Sequence, residues 1–177
     1  MAIYLLRHVK TVNNQSNIIS GRSDAEILPD QKIMFTDDVT FDYIYCSTSE
    51  RCKKTVELIP TYMCKTSVEY LDSLQERSVG FLEGMEKDKA IQYYPELFYR
   101  KKLSVDAMIE GGETLSDVRH RVEDIIQDIV NNKSNKNTLI CSHNQTLKVI
   151  YAMLKSIIIT EDYWESIDLP NGRIIEV

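Results

Sequence analysis

The chain is short of everything a metal or disulfide scaffold requires. Its four cysteines, Cys46, Cys52, Cys64 and Cys141, include no Cys-x-x-Cys pair, and no Cys/His cluster has metal-ligand spacing. Reduced thiols in a cytoplasmic protein are the expectation, with no metal and no cofactor implied. No apolar run approaches the ~20 residues of a membrane span. The opening residues read as a strand rather than a charged segment followed by an apolar one, so no signal peptide is expected. Basic residues are in deficit: the net charge is −6, which argues against a nucleic-acid partner but leaves room for a local basic pocket. Repeats, linkers and low-complexity tracts are also missing. Histidine is scarce, with three in the chain, and two of them (His8 and His143) end apolar strand-like runs.

The 177 residues, 43% hydrophobic and 27% charged, fit a single domain over 1–177 with a core of ordinary size. Strands are read at 2–8, 43–46, 67–71, 138–142 and 173–177. Between the first two lie a polar loop at 9–28 and at most a short helix within 29–39. Helices are read at 50–59, capped by the hydroxyls of 47–49, at 87–102 with a break near Pro95, from Thr114 onward with Asp117 closing a capping box, and at 145–156. Val118, Val122, Ile125, Ile126, Ile129 and Val130 form the stripe of the long helix, Asn131 to Asn137 a turn, and Ile157–Ile159 a possible extension of the core. Strands alternating with helices imply an α/β fold, a three-layer α/β/α arrangement around a mostly parallel sheet.

In such sheets ligands bind at the carboxyl ends of the strands. Arg7 and His8 lie at one end, His143 at another, and Arg51 in the first turn of the helix after the second strand. Two cations and two imidazoles make a site for a dianion. Arginine matches phosphate oxygens with planar, bidentate donors, and neutral imidazole is a usable nucleophile. Phosphoryl transfer to His8, with Arg7, Arg51 and His143 stabilising the spread charge, follows from that set. Glu76, in a glycine-containing loop after the third strand, is the candidate proton donor and later base. Glu76 and Arg77 also fit an ordinary surface ion pair, and His120 reads as surface.

The motif Leu6-Arg7-His8-x-x-Thr11 resembles the signature of the histidine phosphatase superfamily (branch 1), which includes phosphoglycerate mutase-like proteins. The resemblance continues in order: Asn14, Ser20-Gly21 with Asp24, Ser47-x-x-x-Arg51-x-x-x-Thr55, Leu74-x-Glu76-x-x-x-Gly80-x-x-Glu83-Gly84, Gly112-Glu113-Thr114 with Arg121, Ser142-His143, and Pro170-Asn171-Gly172. It implies His8 as the phosphorylated nucleophile, Arg7, Arg51, His143 and Asn14 as the phosphate pocket, and Glu76 as proton donor. Thr11, Ser20, Gly21 and Asn144 would serve the substrate side. Three positions depart from the family pattern: Val9 and Asn144 replace glycines after the two histidines, and Lys148 replaces an arginine. The family's first long helix is shortened or missing, which leaves one sheet face thinly covered and suggests a homodimer contact there. A small helical lid insert is expected at about 85–112 and should supply the specificity wall; its Tyr93, Tyr94, Phe98 and Tyr99, beside several lysines, could stack on a ligand, but at that density such aromatics are more often core packing of the insert.

The implied activity is metal-independent hydrolysis of a small phosphorylated metabolite, a phosphomonoester, through phosphohistidine. A catalytically weak or silent phospho-ligand binder of the same fold is the alternative, and a mutase a further one.

Overall fold

The computed structural model describes residues 2–35, 39–132 and 135–177. In chain order these hold β1 (Ile3–Arg7), α1 (Val12–Gln15), β2 (Tyr43–Ser47), α2 (Glu50–Val56), β3 (Val68–Leu71), α3 (Lys87–Tyr93), β4 (Phe98–Tyr99), β5 (Lys102–Leu103), α4 (Leu115–Asn132), β6 (Thr138–Ser142), α5 (Asn144–Leu154), α6 (Glu161–Ser166) and β7 (Ile174–Glu176). Five strands form the main sheet in the order β3-β2-β6-β1-β7. The first four run parallel, and β7 closes the edge antiparallel to β1.

The central strands carry successive apolar residues because both of their faces are covered. On one face Leu5, Tyr45 and Ile140 pack with Val122, Ile126 and Ile129 of α4 and with Leu147 and Ile150 of α5. On the other, Leu6, Cys46 and Cys141 pack with Cys52 and Val56 of α2 and with Phe41 and Met63. The fold is therefore α/β with a mostly parallel sheet between helices. No helix lies between α1 and β2 among the described residues. Ile33, Phe35 and Val39 instead pack on the second face from extended chain, and the Met34 N–H donates to the Gly172 carbonyl at 2.7 Å. The expected short helix within 29–39 and the turn at 131–137 fall partly on residues 36–38 and 133–134, outside the described residues.

Several local expectations change. The 9–28 loop contains α1, whose cap is reciprocal: the Asn14 N–H donates to Thr11 Oγ and the Thr11 N–H to Asn14 Oδ1. Past α3, the expected helix to 102 gives way to the β4–β5 hairpin, which turns through Arg100 at φ +54°. The capping box of α4 forms as expected, with Asp117 Oδ2 accepting from the Thr114 N–H at 2.8 Å and the Asp117 N–H donating to Thr114 Oγ at 3.1 Å. Val130 is exposed rather than part of the α4 stripe, and Ile158 does not extend the core but stands 83% exposed. Ala90, Ala107 and Ile109 form a small cluster with Val79 and Leu82. Among the described residues, no helix is long and apolar enough to cross a membrane.

Candidate active site

Parallel pairing brings the two histidines together. Arg7 of β1 is in register with Ser142 of β6, so the next residues, His8 and His143, leave the sheet side by side. The His8 N–H donates to the Ser142 carbonyl at 3.0 Å, and the two rings lie 5.3 Å apart at 60°. Both residues are buried. The loop at 170–172 anchors the end of β1 from the other side: Asn171 Nδ2 donates to the His8 carbonyl at 2.7 Å and the Gly172 N–H to the Arg7 carbonyl at 2.9 Å.

Hydrogen-bond partners assign both tautomers. A carbonyl can only accept, so His8 Nδ1, 2.7 Å from the Val9 carbonyl, carries the proton. That leaves Nε2 of His8 unprotonated. Burial, then the charges of Arg51 and Arg7, push the His8 pKa down to about 3, so the free nitrogen persists at neutral pH. In His143, Nδ1 accepts from Arg51 Nε at 3.2 Å, so Nε2 bears the proton and donates to Ser47 Oγ at 2.9 Å. Burial and Arg51 hold this imidazole well below its ordinary value too. The hydroxyls of Ser47 and Ser49 thus serve His143 more than the helix, and Thr48 Oγ donates to Asp72 Oδ1 at 2.6 Å: Ser49 is the N-cap residue of α2 but makes no side-chain cap, and its Oγ lies 3.3 Å from His143 Nε2.

Val9, beside the nucleophile candidate, is unstrained: the positive-φ residues do not include it. It contributes through its main chain, accepting from His8 and donating its N–H to Thr55 Oγ at 3.0 Å.

Arg51 is held by three of its five N–H groups, the Nε one on His143 Nδ1. Nη1 donates to the Ser23 carbonyl at 2.6 Å and Nη2 to the Gly21 carbonyl at 2.7 Å. Guanidinium has five N–H groups, so one on each Nη stays available. Gly21, at φ +50°, could not accept a Cβ, which would stand 2.4 Å from Glu83 Oε1. Arg7 gives one N–H to the Leu169 carbonyl at 3.2 Å, and its Nε is buried with no hydrogen-bond partner. Glu76 is oriented by the first turn of α5: Oε1 accepts from the N–H groups of Arg77 at 2.9 Å and Thr146 at 3.1 Å, and Oε2 from the Gln145 N–H at 3.3 Å.

Arg7, His8, Asn14, Ser20, Gly21, Arg51, Glu76 and Asn144 all line one cavity of about 180 Å³. Thr11 does not; it is buried beneath the wall as the α1 cap. His143 is also behind the wall, under Arg51. Lysines 87, 102 and 148 line the same cavity, with Phe98 and Trp164. Of the aromatics expected on the specificity wall, Phe98 alone is there; Tyr93 is exposed and Tyr94 packs against Phe81. No group of three or more His, Cys, Asp or Glu among the described residues could hold a metal ion.

Two supports were not evident beforehand. Arg77 is not a surface partner of Glu76 but wholly buried, donating to the carbonyls of Glu113 (2.6 Å) and Ala107 (2.7 Å) and to Gln145 Oε1 (3.3 Å). Glu113 collects Arg22, Arg121 and the Ser78 N–H, tying the Glu76 loop to the 20–24 loop and α4. Their signal was present in Gly112-Glu113-Thr114 and Arg121, but the spacing alone assigned no partners.

Residues 3–177 match the model of the histidine phosphatase superfamily (branch 1). A broad-specificity phosphatase of Saccharomyces cerevisiae is 26% identical over 166 residues, 86% of this chain and 70% of the yeast protein. A 2,3-bisphosphoglycerate-dependent phosphoglycerate mutase of Bartonella tribocorum is 29% identical over 133 residues, 68% of this chain and 64% of that one. The alpha-ribazole phosphatase of Shigella flexneri has the same fold, with a TM-score of 0.77 at 23% identity over 99% of this chain and 89% of that chain. Family and relatives together indicate phosphatase activity in general, and the chain belongs to the histidine phosphatase superfamily, branch 1.

Proposed function

We propose that this chain is a phosphatase that hydrolyses a small phosphomonoester, without a metal, through phosphohistidine at His8. The observation that carries the reading is the tautomer: Nδ1–H of His8 donates to the Val9 carbonyl, which leaves Nε2 with its lone pair on a residue lining a cationic cavity. Nε2 attacks phosphorus as the ester oxygen departs on the opposite side. The remaining N–H groups of Arg7 and Arg51, with Asn14 Nδ2, hold the equatorial oxygens. His143 holds Arg51 in place through Nδ1. Glu76 gives a proton to the leaving alcohol, and the resulting carboxylate then takes one from the water that attacks phosphohistidine. Phosphate leaves and His8 returns to the same tautomer.

Turnover of p-nitrophenyl phosphate in the presence of a chelator, beside His8→Ala, tests the reading. Activity should fall on the order of 10⁴-fold or more, as removal of covalent nucleophiles does. Mass spectrometry of protein quenched during turnover should show the acid-labile phosphoryl group on His8. A wild-type protein as inactive as His8→Ala, while still binding phosphate, would make it a silent phospho-ligand binder instead.

A further inference from the structure

One side chain outside the cavity at His8 reaches towards both Arg51 and Glu76. In the loop at 20–24 the Ser23 N–H donates to the Ser20 carbonyl at 2.9 Å, closing a turn in which Gly21 has φ +50°. The turn presents the carbonyls of Gly21 and Ser23 to a single guanidinium, that of Arg51, at 2.7 and 2.6 Å. Arg22 is the residue between these two acceptors. Its side chain crosses to the Glu76 loop: Nε donates to the Glu76 carbonyl at 3.1 Å and Nη2 to Glu113 Oε1 at 2.7 Å. Glu113 is itself fixed, by Arg121 Nε at 3.0 Å and by the Ser78 N–H at 2.9 Å. Arg22 does not line the cavity at His8. It lines a second one, of about 270 Å³, to which Arg51 and Glu76 also belong.

These contacts require an arginine. Nε and Nη2 are donors at fixed separation in one plane, and together they serve a carbonyl and a carboxylate; a lysine brings one ammonium on a flexible stem. The Arg22 side chain is 38% exposed, so its ion pair with Glu113 adds little to stability. The Arg22 N–H donates to Glu83 Oε1 at 3.1 Å, which keeps the loop attached when the side chain is shortened. We propose that Arg22 is a positioning residue. By tying the loop that aims Arg51 to the main chain of Glu76, it holds the phosphate-binding fork and the proton donor in one alignment. The proposal rests on the phosphatase reading above. Transfer to His8 uses both groups at once, and a misplacement of about 1 Å costs up to about 10²-fold in rate.

Arg22→Ala, assayed with two aryl esters of similar shape, tests it. On p-nitrophenyl phosphate, which draws on Arg51 but little on a proton donor, kcat/KM should fall about tenfold. On phenyl phosphate, whose leaving group needs the proton, it should fall several times further, to about 10²-fold. A smaller folded fraction would lower both equally. An equal loss on the two esters, a loss confined to one of them, or no loss would therefore overturn the proposal. Arg22→Lys keeps a cation for Glu113 without the fork and should show the same split at smaller size; it decides by the same criteria if Arg22→Ala does not fold. If the wild type turns over neither ester, the phosphatase reading has failed, and calorimetric binding of inorganic phosphate reads the alignment of Arg51 by itself. Binding about tenfold weaker in Arg22→Ala would sustain that alignment, and unchanged binding would overturn it.

Discussion

Mild acid should destabilise this protein through the two imidazoles at its strand ends. Both are buried, and both are needed neutral. Protonating His143 would set a new N–H against the Arg51 N–H that Nδ1 now accepts, and protonating His8 would place a cation beside Arg7 and Arg51. Their folded pKa values therefore lie below the ordinary 6.5, about 3 for His8 and well depressed for His143. The unfolded chain then binds more protons below about pH 6.5, so stability is complete above that pH and is lost as pH falls through it. At pH 5.5 each histidine costs about 1.4 kcal/mol relative to pH 8, and the two together about 3 kcal/mol. That is a substantial part of the 5–15 kcal/mol typical of a domain. The depressed carboxylates Asp42, Glu50 and Asp117 lose their contribution only below about pH 4.5, outside this window.

Urea unfolding at pH 8.0, 6.5 and 5.5 measures this directly. Trp164, the single tryptophan and nearly fully buried, reports by fluorescence. His8→Gln and His143→Gln should each remove about half of the pH dependence, and the double variant nearly all of it. Inorganic phosphate should protect more at pH 5.5 than at pH 8, because a bound anion favours the protonated rings. A wild-type stability constant within about 0.5 kcal/mol over the range, or a slope that survives the double substitution, would refute the neutral-imidazole reasoning.

Two further outcomes are expected. Glu76→Gln should slow alkyl phosphates roughly 10²–10⁴-fold while slowing p-nitrophenyl phosphate much less, since p-nitrophenolate leaves with little protonation; equal losses in steady-state kcat on both would remove Glu76 as the acid. Gly172→Ala should cost about 2–3 kcal/mol in chemical denaturation, because φ is +69° and the new Cβ would lie 3.1 Å from Val9 Cγ1 and 3.2 Å from the Lys32 carbonyl. Adding Val9→Ala should recover part of that loss in a double-mutant cycle, and strict additivity would show that Val9 is not the obstacle.

The His8 wall of the site was legible because its residues sit where local patterns stop. An apolar run ending in Arg7-His8, another ending in Ser142-His143, and a helix start carrying Arg51 are each visible within a few residues, and parallel pairing does the rest. The lysine-bearing wall of the same cavity was not legible, since Lys87, Lys102, Lys148 and Trp164 converge only through tertiary packing. The hairpin carrying Lys102 turns through Arg100 rather than an Asn-Gly or Asp-Gly pair, so no turn signal marked it. α1 was hidden by a capping box that uses Asn14 in place of Glu or Gln. For α6 the signal existed: Thr160 caps it and Glu161 and Asp162 follow in its first turn.

Val9 shows most directly why a side-chain pattern and a site can diverge. A valine where the resemblance implies glycine suggests strain or crowding at the nucleophile. The backbone there does not need φ > 0, so glycine's freedom is not used. What the chemistry draws on is the Val9 carbonyl, which selects the His8 tautomer, and the Val9 N–H, which is held by Thr55 on α2. Any residue except proline supplies both. The side chain is directed into the fold, 1% exposed, and the room it needs is left by Gly172 on the neighbouring loop. Val9 therefore packs against Gly172 and leaves the hydrogen bond that frees His8 Nε2 untouched.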